Sequence, residues 1–186
     1  MSVAGHDFQL LNLDHPRITA RIMEDMDAGV DVYYDRRWSV TEHFCRFLLA
    51  NPTRVADRSV LILGAGIGLE TLVIGTLCKT LYINDLSPAA IELCGWQLER
   101  NGIADVICLP GRYETLQVPA VDLIIGCFLV YNRQTASAMQ QFLERCTAPV
   151  LLMNDPMPDW QALLRETPRP HRLLLPPDTD PCILFD

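Results

Sequence analysis

Residues Val60 to Glu70 read Val-Leu-Ile-Leu-Gly-Ala-Gly-Ile-Gly-Leu-Glu. An apolar, β-branched run stops at a glycine turn, and a helical pattern follows. This is the signature of a parallel strand feeding a nucleotide-binding helix. Gly64 lets the chain turn sharply. Gly66 and Gly68 carry no Cβ, so a ligand and the next helix can approach the backbone. A second strand, Leu81 to Asp85, ends in an acid about 20 residues after the first glycine. Nucleotide-binding βαβ units place a ribose-binding acid there. The bland alternative is a turn that only packs helix on strand, with Asp85 as a helix-start acid.

Composition narrows what surrounds this unit. The 186 residues suit one domain, and 49% hydrophobic against 20% charged residues allows a sizeable core and argues against disorder. A net charge of -8 argues against non-specific nucleic-acid binding. Cysteines stand at 45, 78, 94, 108, 127, 146 and 182, mostly in apolar runs and with no Cys-x-x-Cys pair. They read as buried free thiols of a reducing compartment, neither a disulfide frame nor a zinc site. The histidines have no ligand spacing, so no metal is expected. The N-terminus lacks a signal-peptide pattern, and no apolar run is long enough for a membrane span. A soluble, cytoplasmic protein without membrane contact is the expectation. Oligomeric state is not readable.

The remaining elements follow in order. Residues 1–30 read as an N-terminal extension laid over a sheet, with a short strand from Phe8 to Leu13. Residues 31–186 read as the main domain. Ser39 and Glu42 match a capping box, and Val40, Phe44, Phe47 and Leu48 share the face of the helix that Asn51-Pro52 ends. Strands are expected at Ser59–Leu63, Thr80–Asn84, Asp105–Leu109, Val121–Cys127 and Pro149–Met153. Helices are expected to run to about Cys78, from Ser87-Pro88 to Asn101-Gly102, from Gln134 to Arg145, and from Pro158 through Leu164. The turn Pro176–Pro181 is too short for a helical crossover. The strands His171–Leu175 and Cys182–Phe185 must therefore be antiparallel.

The glycines run Gly-x-Gly-x-Gly, without the further gap of the dinucleotide fingerprint, and Glu70 is an awkward neighbour for a pyrophosphate. The pattern resembles motif I of the class I (seven-β-strand) methyltransferases that use S-adenosylmethionine (SAM), which carries no phosphate. Trp38, the helix ending Arg46-Phe47-Leu48-Leu49-Ala50-Asn51-Pro52, and the glycine strand are similar to the protein lysine methyltransferase group that includes the enzyme for the electron transfer flavoprotein β subunit. The resemblance covers roughly residues 30–186 and is strongest from Trp38 to Asp85. It implies a Rossmann-like α/β fold with a mostly parallel seven-stranded sheet and a C-terminal antiparallel hairpin.

The resemblance also implies roles. Trp38, Gly64, Ala65, Gly66, Gly68, Asp85, Leu86, Tyr113 and Cys127 would bind SAM. Tyr131 and Asp155 would serve catalysis. The family's acid after the adenine-side strand is replaced by Arg112, with Glu114 two positions late. Its acid after the next strand is replaced by Cys127 or Phe128, depending on alignment. Asp155-Pro156 matches the family's Asp-Pro, but Met157 and Pro158 stand where a basic residue is common. The function implied is SAM-dependent methyl transfer to a side chain, lysine first, of a protein partner. The alternatives are a catalytically silent binding module of the same fold and a small-molecule methyltransferase.

Overall fold

The structure is a computed structural model and describes residues 2–36, 38–174 and 181–186. Leu175 of the predicted strand, and the predicted turn apart from Pro181, lie outside the described residues.

A seven-stranded sheet is built from β3 (Ser59–Leu63), β4 (Thr80–Asp85), β5 (Ile107–Pro110), β6 (Leu123–Cys127), β7 (Val150–Met153), β8 (His171–Leu174) and β9 (Cys182–Phe185). Their order is β5-β4-β3-β6-β7-β9-β8. The first five run parallel, and β9 pairs antiparallel with both β7 and β8. The expected hairpin is therefore present.

Alternation along β3 explains the layers. Val60 and Ile62 face one helical layer with Ile83, Ile125 and Met153; Leu61 and Leu63 face the other with Ile124 and Leu152. The first layer is α2 (Ser39–Ala50), α3 (Leu69–Gly75) and α4 (Pro88–Arg100), through Phe44, Leu72, Val73, Ile91 and Leu98. The second is α5 (Arg133–Arg145) and α6 (Pro158–Glu166), through Met139, Phe142, Trp160 and Leu163. Each such fully buried side chain contributes about 2 kcal/mol. Among the described residues no helix is long and apolar enough to cross a membrane.

Four local readings differ. Helix α2 takes Trp38 as its N-cap, and the Trp38 carbonyl accepts from the Thr41 N–H at 3.1 Å. Ser39 is thus already helical, and Glu42 bonds Arg46 at 2.6 Å instead of closing a capping box. A capping box forms at α5, where the Asn132 side chain accepts from Thr135 N and the Thr135 hydroxyl accepts from Asn132 N. Helix α3 ends at Gly75, short of Cys78. Residues Phe8–Leu13 form no strand, because side chains of α4 and its C-cap take up their backbone: Gln9 N donates to Asn101 Oδ1 and Leu11 N to Gln97 Oε1. The N-terminal stretch, with α1 (Pro16–Asp27) and the short strands β1 (Ser2–Val3) and β2 (His6–Asp7), packs α1 on α4 through Ile18, Ile22, Ala90 and Leu93. Helix α1 thus lies on a helix, while Val3 and Phe8 of the same stretch join the core cluster on the first face of the sheet.

Candidate active site

Strand order reverses at β3, between β4 and β6. Adjacent loops diverge at such a point and leave a crevice at the carboxyl ends of the strands. A cavity of about 820 Å³ fills that crevice. It has a polar half under β3, β4 and β5 and an aromatic half beyond β6.

The polar half is built on backbone. Gly64, Gly66 and Gly68 have φ of 56°, 53° and 54°, left-handed values that other residues adopt at a cost. At Gly68 a side chain would also stand 2.9 Å from the Ala65 carbonyl oxygen. Asp85 fastens this loop. Its Oδ2 accepts from Gly66 N at 2.8 Å and its Oδ1 from Ser87 N at 2.9 Å. Burial pushes the Asp85 carboxyl above the usual range, and the N–H bonds from Ser87 and Gly66 pull it back.

Asn84, fully buried, donates through Nδ2 to the carbonyls of Leu109 at 2.7 Å and Gly111 at 2.8 Å. It thereby fixes the loop after β5. Among the described residues its Oδ1 has no hydrogen-bond partner, and Asn84 lines the cavity. An unpartnered buried acceptor is costly, so this atom suits a ligand N–H. On the same loop Arg112 pairs with Glu114 at 3.2 Å. The Tyr113 ring meets Phe142 edge-on at 5.9 Å.

The aromatic half is built on side chains. The Trp38 and Phe128 rings lie 4.6 Å apart, Phe128 and Tyr131 6.2 Å, and Tyr131 and Tyr33 4.9 Å. Trp38 Nε1 donates to the Tyr33 carbonyl at 3.2 Å. Phe128 has φ of 53°, a strained value for a non-glycine residue. Three bonds hold it there. Phe128 N donates to Met153 O at 2.8 Å, and buried Asn154 clamps the Val130 N–H and carbonyl at 3.0 and 2.8 Å.

Three further groups border the cavity. Glu70, 5% exposed, is pushed up to about 7 by burial, despite a bond from its own backbone N–H. Cys127, its thiol well above the usual value through burial, contacts Thr41 Oγ1 at 3.7 Å. The Tyr34 hydroxyl donates to buried Asp25 at 2.6 Å, and Asp25 also accepts from Ser87 Oγ. This last network ties α1 to the turn carrying Asp85. Among the described residues no group of three or more His, Cys, Asp or Glu is placed to hold a metal ion.

No protein-family model matches the chain. The electron transfer flavoprotein beta subunit lysine methyltransferase of Danio rerio is 29% identical over 132 residues, 68% of this chain and 50% of the relative. The Homo sapiens protein of the same name is 26% identical over 123 residues, 66% and 47% of the two chains. The chain thus spans about half the length of the curated relatives it matches. Among solved structures, a T. thermophilus 16S rRNA methyltransferase in complex with AdoMet and guanosine superposes with a TM-score of 0.63 at 18% identity, over 81% of this chain and 44% of that one.

This is the class I methyltransferase fold.

Within this methyltransferase fold, Trp38, Gly64, Ala65, Gly66, Gly68, Asp85, Leu86, Tyr113, Cys127 and Tyr131 all line the one cavity. Leu86 does so as an exposed apolar rim residue. Asp155 is not part of the lining; it sits in the loop after β7, where its carbonyl accepts from Met157 N at 2.7 Å. Glu42 and Glu114 also line it. Sequence reasoning missed Asn84, Tyr33, Tyr34 and Phe128 as a ring of the wall. Asn84 did leave a signal, a polar residue closing an apolar parallel strand. The strained φ of Phe128 left none.

Proposed function

We propose that the chain binds SAM in this cavity and transfers its methyl group to a lysine side chain of a protein partner. The observation carrying this reading is Asp85, fastened to the glycine loop at the polar half while an aromatic mouth stands at the other. Asp85 offers acceptor capacity for ribose hydroxyls. The orphaned Asn84 Oδ1 and the Glu114 carboxylate offer it to an adenine N–H. No phosphate is involved, which suits a wall bearing Glu70 and Asp85. Bound SAM supplies a methyl group already activated by a sulfonium.

The chain's own residues then position and exclude. Trp38, Phe128, Tyr131 and Tyr33 keep water from the mouth and offer π-faces to a cationic amine. Asp31 and Glu42 on the wall draw a basic side chain inward. A lysine must lose its proton before it attacks. The Tyr131 hydroxyl, raised by burial and by Tyr33 and Asp31, stays protonated and orients the amine as donor or acceptor. Tyr131 serves this role better than Asp155, which lies outside the wall. The names of the curated relatives support a protein lysine. The net charge of -8 speaks against the ribosomal RNA of the structural neighbour.

Two measurements test the reading. Calorimetric titration with SAM and with S-adenosylhomocysteine should show binding by both. Tritiated SAM added with the protein to a cell lysate should label a discrete protein band that yields methyllysine on hydrolysis. Label confined to small molecules would replace the acceptor. Binding without transfer would support the silent module, which the missing acid at Cys127 and Phe128 favours.

A further inference from the structure

Glu70 is the wall group that neither the fold nor the mechanism above uses. It is the second residue of α3, in a turn where Leu69, Thr71 and Leu72 are also buried. Among the described residues no salt bridge reaches it. The elements packed around it send acids or neutral groups. Asp85 comes from β4, Cys45 from α2, Cys94 from α4 and Cys127 from the end of β6. A carboxyl buried without a cation is expensive when charged, and here burial holds it near 7. It therefore carries a proton for part of the time at neutral pH and gives it up when a positive charge arrives. The cavity wall is the open side from which such a charge can come.

Resting on the reading of the cavity as a SAM site, we propose that Glu70 is the counter-charge for the cationic methionyl end of the cofactor and that SAM binding drives a proton off its carboxyl. SAM carries two positive groups, an ammonium and a sulfonium, and one carboxylate. Glu70 lies within electrostatic reach of both Asp85 in the polar half and Cys127 at the end of β6. It is thus a specificity-determining residue: it favours a cofactor that still holds its positive charge and makes loading depend on pH.

Calorimetry separates this from its alternatives. Wild-type protein is titrated with SAM at about pH 5.5 and about pH 7, and at the higher pH in phosphate and in Tris. Affinity should rise about tenfold across that interval, with about half a proton released per SAM at neutrality. The thiols of Cys45, Cys94 and Cys127 are raised by burial and stay neutral throughout. Asp85 is retained in the wild type and in both Glu70 variants, so it contributes equally to each titration. Glu70→Gln should bind SAM with an affinity flat in pH and a heat independent of buffer. Should that variant misfold, Glu70→Asp should keep the proton release at reduced affinity. Release with SAM alone assigns the interaction to the sulfonium; equal release with S-adenosylhomocysteine assigns it to the ammonium and overturns the discrimination between the two cofactor forms. SAM binding without proton release, or release that persists in Glu70→Gln, overturns the proposal. Failure of folded protein to bind either ligand overturns the SAM reading and this inference with it.

Discussion

The two halves of the cavity hold their shape by different means. At the polar half, left-handed glycines and main-chain N–H groups gathered by Asp85 define the wall. Few side chains are involved: Asp85 is fastened through both oxygens and Asn84 through its Nδ2. At the aromatic half, rings lean on one another, and one of them, Phe128, sits on a strained backbone that β7 and Asn154 keep in place. The first arrangement suits an invariant ligand. The second suits an acceptor that differs from one enzyme to another. Changes in the first half should therefore strike cofactor binding, and changes in the second should strike transfer.

Asp85→Ala should have the largest effect. It removes a ribose acceptor and also frees the Gly66 and Ser87 N–H groups. Charge-assisted bonds are worth about 1.5–3 kcal/mol each, so SAM affinity should fall by about 100-fold or more while the protein stays folded. Titration calorimetry measures it. Unchanged affinity would remove Asp85, and with it the polar half, from the cofactor site.

Glu70→Gln should be nearly as large, but in stability. The folded carboxyl titrates at about 7, above its ordinary 4.5. A raised carboxyl keeps its proton longer in the folded state, so its contribution is fully present below the ordinary value and is lost as pH rises through 7. The glutamine has no proton to lose. Its advantage over wild type should thus grow from acid to about pH 8, levelling off at about 3 kcal/mol. Urea melts of the unliganded protein at several pH values check this. A constant difference would mean that the carboxyl ionises in the fold as easily as in water.

Phe128→Leu tests the aromatic half. Leucine keeps most of the bulk but removes the π-face. A cation–π term of about 0.5–2 kcal/mol would be lost, raising the acceptor KM severalfold while SAM affinity stays the same. A loss confined to SAM affinity would move Phe128 to the cofactor side and dissolve the division drawn here.

The same division governs what the sequence reveals. Strand β3, the glycine turn and Asp85 are local devices with fixed spacing, so they can be read in one dimension. The sheet and its closing antiparallel pair follow from apolar runs and from a connection too short to cross over. The aromatic half is assembled by tertiary contacts instead. Nothing near Phe128 announces a positive φ, because the clamp comes from Met153 and Asn154 some 25 residues on. Tyr33 joins Tyr131 only because the segment before α2 folds back over β6. Likewise the apolar residues of Phe8–Leu13 suggest a strand, but Gln97 of α4 and Asn101 at its C-cap supply its backbone partners. At α2 a Ser-x-x-Glu pattern suggests a cap that the helix bypasses by starting on Trp38.

Arg112→Ala should do least, although Arg112 is the residue that departs most visibly from the family pattern. The sequence suggests that an arginine in place of an acid spoils the adenine side. In the fold, its guanidinium is more than half exposed and turns to Glu114 at 3.2 Å. An exposed ion pair of this kind is worth less than about 1 kcal/mol. Glu114 is the less exposed partner, at 14% against 55%, and both residues border the cavity. Removing Arg112 frees the Glu114 carboxylate to accept from a ligand without displacing a competitor. SAM affinity should therefore change by less than about threefold, toward tighter binding if it moves at all. A large loss in the same calorimetric titration would show that the arginine itself holds the ligand. The polar half would then depend on a long side chain as the aromatic half does, and the contrast between backbone-built and side-chain-built walls would fail at this loop.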